Sequence, residues 1–187
     1  ANMSGLIVGG IAIFLGQPIC QSLGLPSWAT IIFQVLMVLV VPSLISKFFE
    51  KKIVGKRAAA LSDLTYVQGD AAERPKAGTV TVVEFWATWC PPCVRSIPHL
   101  SELYTRYKDQ GLDVVGISNE SVDKVRPFVE KMGQKFNYPV ACDPRSVNAS
   151  NYPVQGIPAA FLVGRDGTVL WSGHPMAGLD QAVADAL

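Results

Sequence analysis

Glu84-Phe85-Trp86-Ala87-Thr88-Trp89-Cys90-Pro91-Pro92-Cys93 is the stretch from which the rest of the chain can be read. An apolar run, Val80, Val82, Val83 and Phe85, delivers two cysteines separated by two prolines to the start of a helical pattern. Cysteines three positions apart at a helix N-terminus can close a disulfide within one turn. The first of them faces unpaired backbone N–H groups whose partial positive charge favours its thiolate. Pro91 suits the first helical position, where its missing N–H would have had no partner. Cys90 is therefore the expected nucleophile and Cys93, one turn in, the resolving thiol. Pro91 and Pro92 offer the thiolate neither a hydrogen bond nor a cation, which predicts a reductant rather than a strong oxidant.

Working outward, strands and helices alternate. Val80 to Phe85 is mostly apolar and reads as a strand buried on both faces. Val94, Ile97, Leu100, Leu103, Tyr104 and Tyr107 mark one face of a helix that stops near Gly111. Asp113 to Ser118 reads as a second strand, and Ser121 as the cap of a helix through about Met132 bearing Val125, Phe128 and Val129. Tyr138 to Ala141 and Ala159 to Val163 read as further strands with a short helix between them. Asp166-Gly167 makes a hairpin turn from Phe161–Val163 into Val169–Trp171, and a closing helix begins at Leu179. The order β-α-β-α-β-α-β-β-α predicts an α/β fold, a mixed sheet flanked by helices. Glu84 lies six residues before Cys90 among apolar neighbours, where an acid is costly unless it has a function. The alternative is a strand-edge acid that reaches solvent.

The ten residues from Glu84 to Cys93 resemble the thioredoxin superfamily. Trp89-Cys90-Pro91-Pro92-Cys93 and the chain beyond it are most similar to its membrane-associated, TlpA/ResA-like branch of thiol–disulfide oxidoreductases. The resemblance covers about Leu61 to Leu187 and implies a thioredoxin-like sheet acting on protein disulfides. It implies that Glu84 is the buried carboxylate that deprotonates the resolving cysteine, commonly through water. Gly156-Ile157-Pro158 matches a loop in which a cis proline faces the cysteines, leaving the backbone of Ile157 to pair with a bound polypeptide; an ordinary trans turn is the alternative. Pro98 matches a proline that kinks the equivalent helix. The candidate catalytic residues are thus Cys90, Cys93 and Glu84, and the candidate substrate-binding residues Trp89, Ile157 and Pro158. Trp86 is expected to pack and Trp89 to shield the site at the surface.

The redox-active dithiol implies no cofactor. A zinc site at Cys90 and Cys93 needs two more ligands, and Cys20, Cys142, His99 and His174 are scattered singly. Haem attachment fails because Val94, not His, follows Cys93. Cys142 reads as a small buried hydrophobe, His99 as a helix-surface residue and His174 as a loop residue.

Charge is distributed unevenly along the 187 residues: none of the 16 Lys and Arg or 15 Asp and Glu precedes Lys47. Trp28 to Ser46 is a 19-residue apolar run, long enough at about 1.5 Å per residue to span a hydrocarbon core of roughly 30 Å. Gln34 and Pro42 are tolerable in such a helix, and Trp28 sits where an interfacial aromatic belongs. Ser4 to Ile19 is marginal for spanning, yet Gly5, Gly9, Ala12 and Gly16 line one face along which another helix could approach closely. A transmembrane helix or helical hairpin is therefore expected ahead of the soluble fold. Lys47, Lys51, Lys52, Lys56 and Arg57, opposed only by Glu50, place the soluble part on the positive-inside face: cytoplasm, stroma or matrix. Members of the resembled branch usually face an outer compartment instead.

The expected organisation is a membrane part with its basic flank over 1–57, a linker over 58–78 and a thioredoxin-like domain over 79–187. The membrane would be an organellar inner or thylakoid membrane, or a bacterial cytoplasmic one. A net charge of +1 gives no footprint for nucleic acid. Expected partners are protein disulfides, membrane lipid and the transmembrane helices of a larger complex. The first functional reading is a membrane-anchored thiol–disulfide oxidoreductase. The second, motivated by the small-residue stripe and the sidedness, is an accessory subunit of a photosynthetic or respiratory complex that carries a thioredoxin-like domain.

Overall fold

In the computed structural model, which describes residues 53–187, the apolar run before the cysteines forms a central strand, β2 (Val80–Trp86), with all seven residues buried. On one side β2 pairs in parallel with β3 (Leu112–Ser118), and β3 in parallel with β4 (Val140–Cys142). On the other it pairs antiparallel with β5 (Ala159–Val163), which turns into β6 (Val169–Gly173). A short strand, β1 (Thr65–Gln68), closes the far edge antiparallel to β4, so the order is β1-β4-β3-β2-β5-β6. This is the mixed sheet expected from the order of elements, with β1 added at its front.

Helix α1 (Pro91–Tyr107) starts at Cys90, which keeps extended φ/ψ, and has prolines in its first turn. It buries Cys93, Ser96, Ile97, Leu100, Ser101 and Leu103; Pro98 lies inside it. The chain then makes a 3-10 turn (Lys108–Gln110) and stops at Gly111, whose φ of 98° is left-handed and suits glycine. Helix α2 (Val122–Met132) follows Ser121 and buries Val125 and Val129, α3 (Val147–Asn151) is a short turn, and α4 (Leu179–Ala186) closes the fold through Leu179 and Val183.

The period of two along β2 splits the core. Val80, Val82 and Trp86 pack with Ile97 and Leu100 of α1, Val125 of α2 and Leu179 of α4. Val83 and Phe85 point the opposite way, to Val115, Ile117, Tyr152 and Phe161. Each fully buried aliphatic side chain of this kind contributes roughly 1.5–3 kcal/mol. Glu84 stands between Val82 and Trp86 and so shares the face that α1 covers.

Two expectations about boundaries need correction. Residues 58–78 are not a linker: Arg74 is buried there, donating from Nε to Asp113 Oδ2 at 2.7 Å and from Nη2 to Asp70 Oδ1 at 2.6 Å. That ion pair and the pairing of β1 with β4 tie the stretch into the sheet. Residues 55–58 also join the fold, since Gly55 N–H donates to Val169 O and Ala58 N–H to Gly167 O, both at 2.8 Å. The domain therefore begins well before residue 79, and the compact unit that ends at Leu187 takes in all of 58–78. Strand β4 starts two residues later than expected because Pro139 has no N–H for the ladder and Tyr138 turns its side chain into the core.

The apolar runs Ser4–Ile19 and Trp28–Ser46, the stripe of small residues and the basic flank through Lys52 lie outside the described residues. Among the described residues no helix is long and apolar enough to cross a membrane.

Candidate functional site

The parallel register of β2 and β3 brings Trp86 level with Ser118, so both strands end at the same pole of the sheet and the chain leaves β2 there into the cysteine turn. Cys90 N–H donates to Ala87 O at 3.2 Å, closing that turn, and α1 begins at once. Cys90 and Cys93 are joined as a disulfide with Cα atoms 5.3 Å apart. Cys90 Sγ takes the place of a capping oxygen, accepting from the Cys93 N–H at 3.3 Å. The N-terminal field of the helix therefore acts on the sulfur expected to be the nucleophile. In this oxidised form the pair is more closed than the sequence suggests: Cys90 is 3% exposed and Cys93 not at all. Of the two, Cys90 is the one with any exposed surface.

Below the disulfide, Glu84 is fully buried. The strand-edge alternative is excluded, because β2 lies in the middle of the sheet. Tyr138 Oη donates to Glu84 Oε2 at 2.7 Å, and Ser96 Oγ lies 3.5 Å from Oε1 while donating to Cys93 O at 2.9 Å. Glu84 thus connects through one serine to the backbone of the inner cysteine. Burial pushes its carboxyl up to about 7, against the opposing pull of the hydrogen bonds from Tyr138 and Ser96. A carboxyl group poised near neutrality can exchange a proton with a thiol in either direction. Burial, and then the Glu84 carboxyl, push Tyr138 well above its ordinary value, so it remains a donor.

Ile157–Pro158 is cis and leads into β5, whose Ala159 pairs with Phe85 of β2. Beside it a groove of about 250 Å³ is lined by Phe85, Trp86, Trp89, Asn119, Gly156 and Ile157, among others, and no lining side chain is charged. Trp89 is 67% exposed and forms one wall, whereas Trp86 is 1% exposed and packs against Phe136 and Phe128. The structure thus gathers Cys90, Cys93, Trp89, Ile157 and Pro158 at one pole, with Glu84 beneath.

Three contributors escape a reading of the sequence. Glu120, just past β3, accepts from Thr88 N–H at 2.7 Å and from Thr88 Oγ1 at 2.9 Å, holding the loop that carries Trp89 and Cys90. Ser96 and Tyr138 are the others, and neither spacing nor residue type distinguishes them beforehand. Of the remaining candidates, Cys142 is a buried thiol pushed up to about 11 by burial and then by Glu120. His99 is half-buried on α1, with Nε2 3.0 Å from Asp180 Oδ2 but without hydrogen-bond alignment. His174 is exposed in the loop before α4 and accepts from Met176 N–H. Among the described residues, no group of His, Cys, Asp and Glu could hold a metal ion.

Fold and dithiol together define a thiol–disulfide oxidoreductase of the thioredoxin type. The chain belongs to the AhpC/TSA family, whose pattern it matches over residues 55–172. The thiol-disulfide oxidoreductase ResA of Bacillus thuringiensis is 34% identical to it over 123 residues, 65% of this chain and 69% of that one. Among solved structures, a thiol:disulfide interchange protein of the thioredoxin family from Chlorobium tepidum superposes with a TM-score of 0.59 at 29% identity, covering 70% of this chain and 94% of that one. StoA from Bacillus subtilis, at 21% identity, shares the fold with a TM-score of 0.56 over 66% of this chain and 96% of its own.

Proposed function

We propose that this protein is a membrane-anchored reductase of protein disulfides that works through Cys90 and Cys93. The Cys90 thiolate attacks one sulfur of a substrate disulfide, and the other leaves as a thiolate that takes a proton from solvent. Glu84 accepts the proton of the Cys93 thiol. The Cys93 thiolate then attacks Cys90 Sγ, the bond from Cys90 to the substrate breaks, and the second substrate sulfur leaves reduced. Two electrons have moved to the substrate and the Cys90–Cys93 disulfide remains. Trp89 and the backbone of Ile157 receive the polypeptide, and the uncharged groove fits an apolar side chain next to its cysteine.

The observation that carries this reading is Cys90 Sγ capping α1, with the buried acid Glu84 linked through Ser96 to the backbone of Cys93. Its test is equilibration of the full chain with dithiol buffers. A Cys90–Cys93 couple that cycles at roughly −180 to −270 mV supports a working reductase. A disulfide that no cellular dithiol opens, or undiminished activity in Cys90→Ser, refutes it.

Anchoring rests on the uncharged run from Trp28 to Ser46, and sidedness on the five basic residues from Lys47 to Arg57. Protease added to sealed, right-side-out cells or organelles is expected to leave the domain intact. Digestion without permeabilisation would place it on the outer face. The accessory-subunit reading draws no support from fold, site or relatives. A Cys90→Ser/Cys93→Ser variant that keeps full function in the membrane would revive it.

A further inference from the structure

Glu84 stands in register with Gly116 of β3 and Ala160 of β5, so neither sheet neighbour gives its carboxyl group a polar side chain. The partner comes from the segment ahead of β4, where fully buried Tyr138 donates to Oε2 at 2.7 Å. The sheet is built to admit that phenol. A Cβ at Gly116 would stand 3.1 Å from Tyr138 Cε2 and 3.0 Å from Trp86 Nε1. Gly116 does not have the positive φ that favours glycine, so its missing side chain serves space rather than backbone conformation. Aromatic neighbours then fix the ring: Phe136 packs 4.8 Å from Tyr138 and 5.0 Å from Trp86, centroid to centroid.

The two carboxyl oxygens are held unequally. Oε2 has a short bond from Tyr138, whereas Oε1 has only Ser96 Oγ at 3.5 Å, and that hydroxyl already donates its proton to Cys93 O. Oε1 is therefore the oxygen free to gain or lose a proton, and it faces Ser96, three residues on from the inner cysteine in α1. The polar groups facing Glu84 are few: Ser96 from α1 and Tyr138 ahead of β4, with no titratable side chain from Gly116 or Ala160.

We infer that Tyr138 is a positioning residue for thiol–disulfide exchange, pinning one oxygen of Glu84 so that the other carries the proton of the dithiol. This rests on the reading of Glu84 as the proton acceptor for Cys93. A hydrogen bond to a carboxylate is stronger than one to the neutral acid, so Tyr138 also keeps the ionised form accessible in a buried site. Without it, burial alone would leave Glu84 protonated at neutral pH and unable to accept.

The test uses the reduced full chain in mild detergent and a chromogenic aryl disulfide in single turnover. Attack by Cys90 releases one aryl thiolate, and resolution by Cys93 releases the second, so the two steps appear as separate phases. In the wild type the second phase is expected to inflect near the value of about 7 held by Glu84. Tyr138→Phe is expected to move that inflection up by about one to two pH units, slowing the second phase roughly tenfold or more at about pH 6 and leaving the first unchanged. Glu84→Gln is expected to abolish the inflection, and Tyr138→Phe added to Glu84→Gln to do nothing more.

If Glu84→Gln leaves the profile unaltered, the proton-acceptor reading falls and the role of Tyr138 with it. If Glu84→Gln removes the inflection but Tyr138→Phe leaves it in place, Glu84 stands and Tyr138 is merely structural. Should Tyr138→Phe not fold, the wild type decides. In infrared difference spectra, a tyrosine C–O band should shift with the same pH midpoint as the carboxyl band lost in Glu84→Gln. A tyrosine signal indifferent to that midpoint overturns the inference.

Discussion

Glu84 reduces the stability of the fold it serves, and the amount can be worked from the site. Its carboxyl group is held at about 7 where the ordinary value is 4.5. Each unit is worth about 1.4 kcal/mol, so ionising Glu84 in the folded protein costs about 3 kcal/mol more than in the unfolded chain. The sign is set by the raised value. Below about 4.5 the acid is neutral in both states and nothing is lost; as pH rises to about 7 the unfolded chain releases its proton first and stability declines; above that the loss is complete. Glu84→Gln removes the titration while keeping the volume: the amide oxygen can accept from Tyr138, and its N–H groups face Ser96 Oγ. Urea unfolding of the oxidised full chain, followed by tryptophan fluorescence, is expected to show the variant gaining about 3 kcal/mol on the wild type between about pH 4.5 and pH 8. An equal difference between the two proteins at both pH values would refute the reasoning, because Glu84 would then titrate like an exposed acid. The variant should be more stable at pH 8 yet slower in disulfide resolution, the opposition expected of a group retained for chemistry.

Three further outcomes are expected. Cys93→Ala accumulates a long-lived mixed disulfide with partner proteins, visible on non-reducing gels, whereas Cys90→Ala does not; trapping through Cys93 instead would reverse the two roles. Trp89→Ala leaves the urea midpoint within about 0.5 kcal/mol of wild type, since the side chain is 67% exposed, and weakens capture of a peptide disulfide by on the order of 1 kcal/mol, read as a raised KM. Arg74→Ala leaves Asp113 buried and uncompensated and destabilises the domain by about 3 kcal/mol or more in the same unfolding assay, while an Arg74→Met/Asp113→Leu pair recovers much of the loss.

The legible part of this protein was the part specified locally. Val80 to Phe85 announces a strand because apolar residues fill both faces, and Pro91 with Cys93 announces a helix start because the first turn has no use for the missing N–H. Glu84 stood out for the same reason: an acid inside an apolar run is a physical anomaly that the neighbouring residues already reveal. Residues 65–68 were harder, since a four-residue edge strand carries too little periodicity to separate from a loop. Its pairing depends on β4, far along the chain, and on Arg74, whose burial makes sense only once Asp113 lies beside it.

What sequence could not show is which polar groups complete the site. Tyr138 reaches Glu84 across 54 residues, Glu120 reaches Thr88 across 32, and Ser96 is one of several hydroxyls on α1, chosen by the rotation of the helix over β2. None of the three is anomalous where it stands. Tyr138 looks like the first residue of an apolar strand, and only Gly116, opposite Glu84, leaves the gap that lets its phenol through. The cysteines and the acid stand out in the sequence itself. The hydrogen-bond partners of that acid are selected by packing, and packing becomes visible only when β2, β3 and α1 are brought together.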